Sequence, residues 1–200
     1  MSVLTFPVTV APMDGPNNGP DDRARLIAAA QSGDLAAFEQ IIRQYERLVL
    51  VTALRMLGNL ADAQDASQEV FLRLYRNLGK VESSGAFSSW LYRVTVNLCL
   101  DMRRKRPAVA PMEDAFQAAA SGDDPHQATI RAERRHALDL SLRRLSEKER
   151  AALVLRDLEG LPTEEVARVL GSSQATVRSH ISKARVKMKT FMEHYFRRRP

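Results

Sequence analysis

Between Asp22 and Arg106 the apolar residues return every three or four positions. Leu35, Phe38, Ile41, Ile42, Tyr45, Leu48, Val49 and Thr52 fall on one face of a helix. Asp34, just after the break at Gly33, is placed to cap that helix, and Gly58-Asn59 is placed to end it. A further helix is expected from near Asp62, with Ala66, Val70, Leu74 and Leu78 at successive i, i+4 steps. The polar, glycine-bearing loop "GKVESSGAF" separates it from a helix that begins near Phe87 and buries Trp90, Leu91, Val94 and Leu98. No stretch alternates as a strand does, so the expected fold is all-α.

The pattern changes at Pro107. "PAVAPMEDAFQAAASGDDPHQAT" is rich in proline, alanine and acid and poor in large apolar residues, the composition of a flexible linker. Helical periodicity resumes near Ile130 with Leu138, Leu142 and Leu145. Ser146 with Glu149 three residues later forms a capping box ahead of Ala152, Leu153, Leu155 and Leu158. Gly160 stops that helix. In "LPTEEVARVLG", Thr163 is the N-cap candidate, Glu164 and Glu165 suit the positive end of the helix dipole, and Val166, Ala167 and Leu170 form the buried face. Gly171 supplies a tight turn, after which Val177, Ile181, Ala184 and Met188 line up on a last helix. The expected organisation is a disordered tail over 1–21, a helical domain over 22–106, a linker over 107–129 and a second helical domain over 130–200.

Charge sharpens this picture. The chain of 200 residues carries a formal net charge of +6, which points to a polyanionic partner. From Asp34 to Leu100 there are seven Lys/Arg against seven Asp/Glu, but from Ile130 to Pro200 there are seventeen against nine. The basic excess therefore belongs to the second domain, with a smaller cluster at Arg103 to Arg106. Cys99, the single cysteine, lies in the apolar run "WLYRVTVNLCL" and reads as a buried hydrophobe. The start, "MSVLTFPVTVAP", lacks a basic n-region and is too short to span a bilayer, so a cytoplasmic protein without membrane insertion is expected. His126, His136, His180 and His194 are scattered, and neither a metal-ligand cluster, a phosphate-cradling glycine loop nor a nucleophile–base set is evident. No metal, cofactor or small-molecule substrate is expected, and no enzymatic activity.

Helix, glycine turn and helix with small residues at the crossing is the sequence form of a helix-turn-helix. The face opposite Val177 and Ile181 carries Ala175, Thr176, Arg178, Ser179, Ser182 and Lys183, flanked by Arg185 and Lys187. Arginine donates twice to guanine in the major groove, and hydroxyls and methyls contact bases or phosphates. Gln174, Thr176, Arg178 and Ser179, near the leading end of the helix, are the base-contact candidates. Ser182, Lys183, Arg185 and Lys187 complete the interface, the cations as phosphate contacts. A reader of this kind serves a free-standing transcriptional regulator equally well.

The first domain narrows the choice. "DAQDASQEVFLRLYRNL" followed by "FSSWLYRVTVNLCLDMRRKRP" resembles the extracytoplasmic-function group of sigma factors, the minimal two-domain members of the sigma-70 family. "LSEKERAALVLRDLEGLPTEEVARVLGSSQATVRSHISKAR" resembles their second domain, and the resemblance spans about Leu26 to Met192. It implies binding to core RNA polymerase, promoter selection and help in duplex opening. The first block would read and melt the −10 element and the second would read the −35 element. By resemblance, the helix with Asp62, Asp65, Gln68 and Glu69 docks on the polymerase, a polar acidic face suited to a basic partner. Lys80, Phe87, Asn97, Arg103 and Arg104 fall in the segment that would handle the −10 strand, with Phe87, Trp90 and Tyr92 as stacking candidates; the alignment of Trp90 with Val94 and Leu98 favours a core position. The acidic Glu113, Asp114, Asp123 and Asp124 of the linker would enter the polymerase cleft, and an anti-sigma factor is an implied partner. Departures from the family pattern are Gln64 in place of a frequent Glu, Ala66 and Ser67 in place of larger apolar residues, and Ala175 where many relatives carry Gly.

Overall fold

The computed structural model describes residues 20–81, 87–105 and 125–197. Nearly all of the tail expected over 1–21, the centre of the loop between Lys80 and Phe87, Arg106, and the linker acids Glu113, Asp114, Asp123 and Asp124 lie outside the described residues. The described residues form helices and turns without a strand. The elements are α1 (Pro20–Gln31), α2 (Leu35–Leu57), α3 (Leu60–Asn77), a 3-10 turn (Leu78–Lys80), α4 (Phe87–Lys105), α5 (Pro125–Arg143), α6 (Glu147–Leu153), a π turn (Val154–Leu158), α7 (Thr163–Leu170) and α8 (Gln174–Arg197).

In the first domain α2 is the central helix, with α1, α3 and α4 packed around it. Its start is fixed by the Asp34 carboxylate, which accepts the backbone N–H groups of Ala36 and Ala37 at 2.9 and 3.1 Å. Its end is the left-handed Gly58, at φ 82°. Ile41, Tyr45, Leu48, Val49 and Thr52 are buried as the periodicity requires, while Leu35, on the first turn, stays 65% exposed. Ala66, Val70, Leu74 and Leu78 of α3 and the 3-10 turn are buried together with Ala63 and Phe71.

Helix α4 is rotated by about one residue from the expected stripe. Its deepest positions are Phe87, Leu91, Thr95 and Cys99, whereas Trp90 and Val94 are half-buried against the same core. Period-four reading from Trp90 misses this because Tyr92, Thr95 and Val96 also go inside, so the helix is buried over a wide arc. Cys99 has no exposed surface, and burial pushes its thiol up to about 12.

The second domain is built from α5 to α8, with α8 packed on α5, α6 and α7. Helix α5 begins at Pro125, upstream of Ile130, where apolar periodicity resumes. Proline is well suited to the first helical position because its missing N–H has no intrahelical partner there. The residues that follow it are polar or small, so apolar spacing did not reveal this first turn. The capping box is present: Ser146 Oγ accepts from Glu149 N, and Glu149 Oε2 accepts from Ser146 N at 2.9 Å. The two domains pack against each other, α4 against α7 and α2 against the π turn.

Candidate nucleic-acid interface

Helix α7 starts after extended Pro162, so Thr163 is its first helical residue and not its cap. It ends at Gly171, whose φ of 57° is left-handed. The Ser172 N–H donates to Ala167 O at 3.0 Å and the Gly171 N–H to Arg168 O at 3.4 Å, the paired closure of a Schellman end. A side chain at Gly171 would meet nothing within 4 Å, so glycine is favoured there by backbone conformation alone. Ser173 then caps α8: its hydroxyl accepts the Thr176 N–H at 3.1 Å and bonds the Thr176 hydroxyl at 2.9 Å. This cap went unread in the sequence, although "SSQAT" offers a serine three residues before Thr176.

Val177, Ile181, Ala184 and Met188 are buried, which fixes the rotation of α8. Gln174, Ala175, Thr176, Arg178, Ser179, Ser182 and Lys183 are all exposed on the other side. Arg178 Nη2 donates to Gln174 Oε1 at 3.0 Å, which holds the guanidinium over the leading turn. The structure thus brings the base-contact candidates together. It treats the two flanking cations differently. Arg185 makes a bidentate pair with Asp157 at 2.7 and 2.8 Å, which raises its pKa. Lys187 holds both carboxylate oxygens of Glu149 at 2.7 and 2.9 Å. Arg185 thereby ties α8 to the π turn and Lys187 ties it to α6, so each of these expected phosphate contacts already has an anionic partner in the fold.

On α4, Phe87 is fully buried and packs edge-on against Tyr45 at 4.9 Å between ring centroids. It is a core residue and is not presented as a stacking platform. Tyr92 is also buried, with its hydroxyl donating to Glu159 Oε2 at 3.3 Å. Asn97 is exposed, and Arg93 and Arg104 lie on the same outward stripe at i−4 and i+7 from it. Arg93 was missed in the sequence; its spacing from Asn97 is the signal that marks it. Lys80 is exposed at the end of the 3-10 turn. Arg103 is half-buried, donates to Met56 O at 3.2 Å and lies 3.6 Å from Glu147, so it braces the fold in this arrangement.

On α3, Asp62 is buried and closes the helix start with Asn59. Its N–H donates to Asn59 Oδ1 at 2.8 Å, and its Oδ2 accepts from Asn59 Nδ2 at 2.6 Å. Asp65 and Gln68 are exposed. Glu69 is partly exposed and accepts from Arg73 at 2.8 Å, a bond that holds its carboxyl below the usual range. The polar face continues into two exposed apolar side chains, Leu72 at 50% and Tyr75 at 56% exposure. Asp65, Gln68, Leu72 and Tyr75 share one helical side, and Tyr75 rests edge-on against Phe38.

The family model Sigma-70 region 2 matches residues 41–108, and Sigma-70, region 4 matches residues 135–188. The ECF RNA polymerase sigma factor SigM of Mycobacterium tuberculosis is 35% identical over 167 residues, covering 82% of each chain. The chain belongs to the extracytoplasmic-function sigma factors. The ECF sigma factor SigW of Bacillus subtilis is 31% identical over 171 residues, covering 80% of this sigma factor and 91% of SigW. The solved structure of CnrH in complex with the cytosolic domain of CnrY aligns with a TM-score of 0.64 at 26% identity, covering 86% of this chain and 97% of that one. In this sigma factor the region 2 match covers most of α2 and all of α3 and α4, and the region 4 match covers the helix-turn-helix. Sigma factors are non-enzymatic initiation factors. Among the described residues no cluster of three or more His, Cys, Asp or Glu is placed to hold a metal, and no helix is long and apolar enough to cross a membrane.

Proposed function

We propose that this sigma factor divides promoter recognition between its two domains, with residues 22–106 acting at the −10 element and on core polymerase and residues 130–200 at the −35 element. The observation that carries this reading is the exposed face of α8, where Gln174, Thr176, Arg178, Ser179, Ser182 and Lys183 stand free of the domain core. Arg178 and Gln174 read base edges, and Lys183 holds a phosphate. Asn97, with Lys80 and Arg104, handles the strand released at −10. Asp65, Gln68 and Glu69 face the polymerase, extended by Leu72 and Tyr75.

The likeness to CnrH, solved with the cytosolic domain of CnrY, supports an anti-sigma factor as the regulatory partner here as well. The protein then acts in the cytoplasm, beside polymerase and DNA. Run-off transcription from a randomised promoter library with purified core polymerase tests the whole reading. Selected initiation only in the presence of this protein is expected; absence of initiation with every bacterial core supplied refutes it.

A further inference from the structure

Helix α1 lies outside the region 2 match, which starts at residue 41. Its inner residues Ile27 and Ala30 are buried in the core. Its last residue, Gln31, is exposed and reaches sideways. The amide nitrogen Nε2 donates to Leu78 O and to Val81 O, each at 2.9 Å. One side chain thus commits both amide hydrogens to a turn 47 and 50 residues away. The end of α1 is itself closed. Gly33 has a left-handed backbone, at φ 96°, and the N–H groups of Gly33 and Asp34 donate to Ala30 O and Ala29 O at 3.1 Å. Gln31 is therefore presented from a fixed point.

The turn it reaches is the 3-10 segment Leu78–Lys80. Its closing bond runs from Val81 N–H to Leu78 O at 3.1 Å, and 3-10 geometry makes such a bond weak. Leu78 and Val81 are buried, whereas Gly79 and Lys80 are exposed. Burial anchors the two ends and leaves the peptide planes free to swing, above all at Gly79, where glycine permits wide rotation. Gln31 engages the carbonyls on either side of Gly79-Lys80. The direction of both is then set, and neither is left to bond the Lys80 ammonium. Among the described residues that ammonium has no carboxylate partner, unlike Arg103, Arg185 and Lys187. A lysine head is a compact charge on a flexible stem, so its aim depends on the backbone that carries it. Fixing that backbone beforehand lowers the ordering cost of taking a phosphate.

We infer that Gln31 is a positioning residue for strand opening: it brackets Lys80 and holds its ammonium for a backbone phosphate of the −10 strand. Helix α1, which precedes the region 2 match, thereby becomes part of the −10 apparatus. The inference rests on the −10 role proposed above for Lys80. Gln31 touches no DNA itself and acts through the turn.

Opening kinetics of the full chain with core polymerase test this, read by 2-aminopurine fluorescence in the −10 element of a promoter selected by run-off transcription. Gln31→Met keeps the length and removes the donors; Lys80→Gln removes the charge. Each should slow opening by about tenfold, the worth of one charge-assisted contact. The double variant should be no slower than Lys80→Gln. Both single variants should lower the salt slope of opening by about 0.7, the release expected for one phosphate of a single strand. Gln31→Met removes no charge, so a merely structural role would leave that slope unchanged. Additive slowing, or a slope lowered by Lys80→Gln and not by Gln31→Met, overturns the inference and leaves the −10 role of Lys80 standing. Wild-type opening in Lys80→Gln refutes that role, and the inference with it. Amide exchange of Val81, followed by NMR in the free protein, reads the clamp without DNA. Gln31→Met should quicken it by about tenfold while the amide of Val96 in α4 is unmoved; unchanged exchange at Val81 overturns the inference.

Discussion

Lys187 Nζ lies 2.7 and 2.9 Å from the two carboxylate oxygens of Glu149, the residue that also closes the capping box with Ser146. One carboxylate thus starts α6 and fastens α8 to it. The recognition helix owes part of its placement to a residue thirty-eight positions upstream.

Loss of this arrangement should be read as stability and not as DNA affinity. Ser146→Ala should cost about 1 kcal/mol in urea unfolding. Lys187→Ala should cost less, because its side chain is 47% exposed and the pair is screened. The hydrogen bond from Lys187 holds the Glu149 carboxyl below its ordinary value of 4.5. A depressed carboxyl pKa contributes stability above that ordinary value and loses it as pH falls through the folded value. The stability gap between wild type and Glu149→Gln should therefore be full at pH 7 and shrink as acid is added below pH 4.5.

The cations of α8 should divide by their partners. Arg178→Ala should weaken −35 duplex binding by about 1–3 kcal/mol and relax preference at one base. Lys183→Ala should weaken binding uniformly across sequences and lower the salt slope by about one. Arg185→Ala, which breaks the pair with Asp157, should lower thermal stability and leave the salt slope unchanged. Fluorescence anisotropy at three salt concentrations, with a thermal melt, separates the three.

Two neighbouring aspartates should behave oppositely. Asp62→Ala removes a buried helix-start partner of Asn59 and should cost about 1 kcal/mol of stability. Asp65→Ala should leave the melt unchanged and weaken competition for core polymerase, as should Tyr75→Ala. A melt lowered equally by Asp62→Ala and Asp65→Ala would show that both are structural.

Asn97→Ala should impair strand opening, measured by permanganate reactivity, more than closed-complex binding. Phe87→Ala should instead destabilise the first domain by roughly 3–5 kcal/mol, since it empties a fully buried aromatic site against Tyr45. Equal loss of closed-complex binding and opening in Asn97→Ala would assign Asn97 a structural role.

Apolar periodicity made the helices and the inward faces of α2, α3 and α8 legible, because each buries a regular stripe. It served α4 less well: a helix buried over a wide arc has no single stripe, and the phase was read from Trp90 where Phe87, Leu91, Thr95 and Cys99 set it. Candidate site residues divide on a different ground. The exposure of Gln174, Thr176, Arg178 and Ser179 was readable because it follows from phase. The fold contacts of Asp62, Arg103, Arg185 and Lys187 were not, because their partners Asn59, Met56, Asp157 and Glu149 meet them through local capping or tertiary packing that residue type alone does not reveal. The contacts of Glu159 left no trace in the sequence, since its donors Thr52, Arg55 and Tyr92 lie between 67 and 107 residues away.

Burial of Cys99 has a consequence for signalling. A thiol pushed up to about 12 and sealed in the core holds almost no thiolate near neutrality, and thiolate is the form that attacks peroxides and disulfides. Cys99 is the chain's single cysteine. In this folded state Cys99 therefore offers oxidants no reactive sulfhydryl, and a redox signal would have to reach the chain through another group or another molecule.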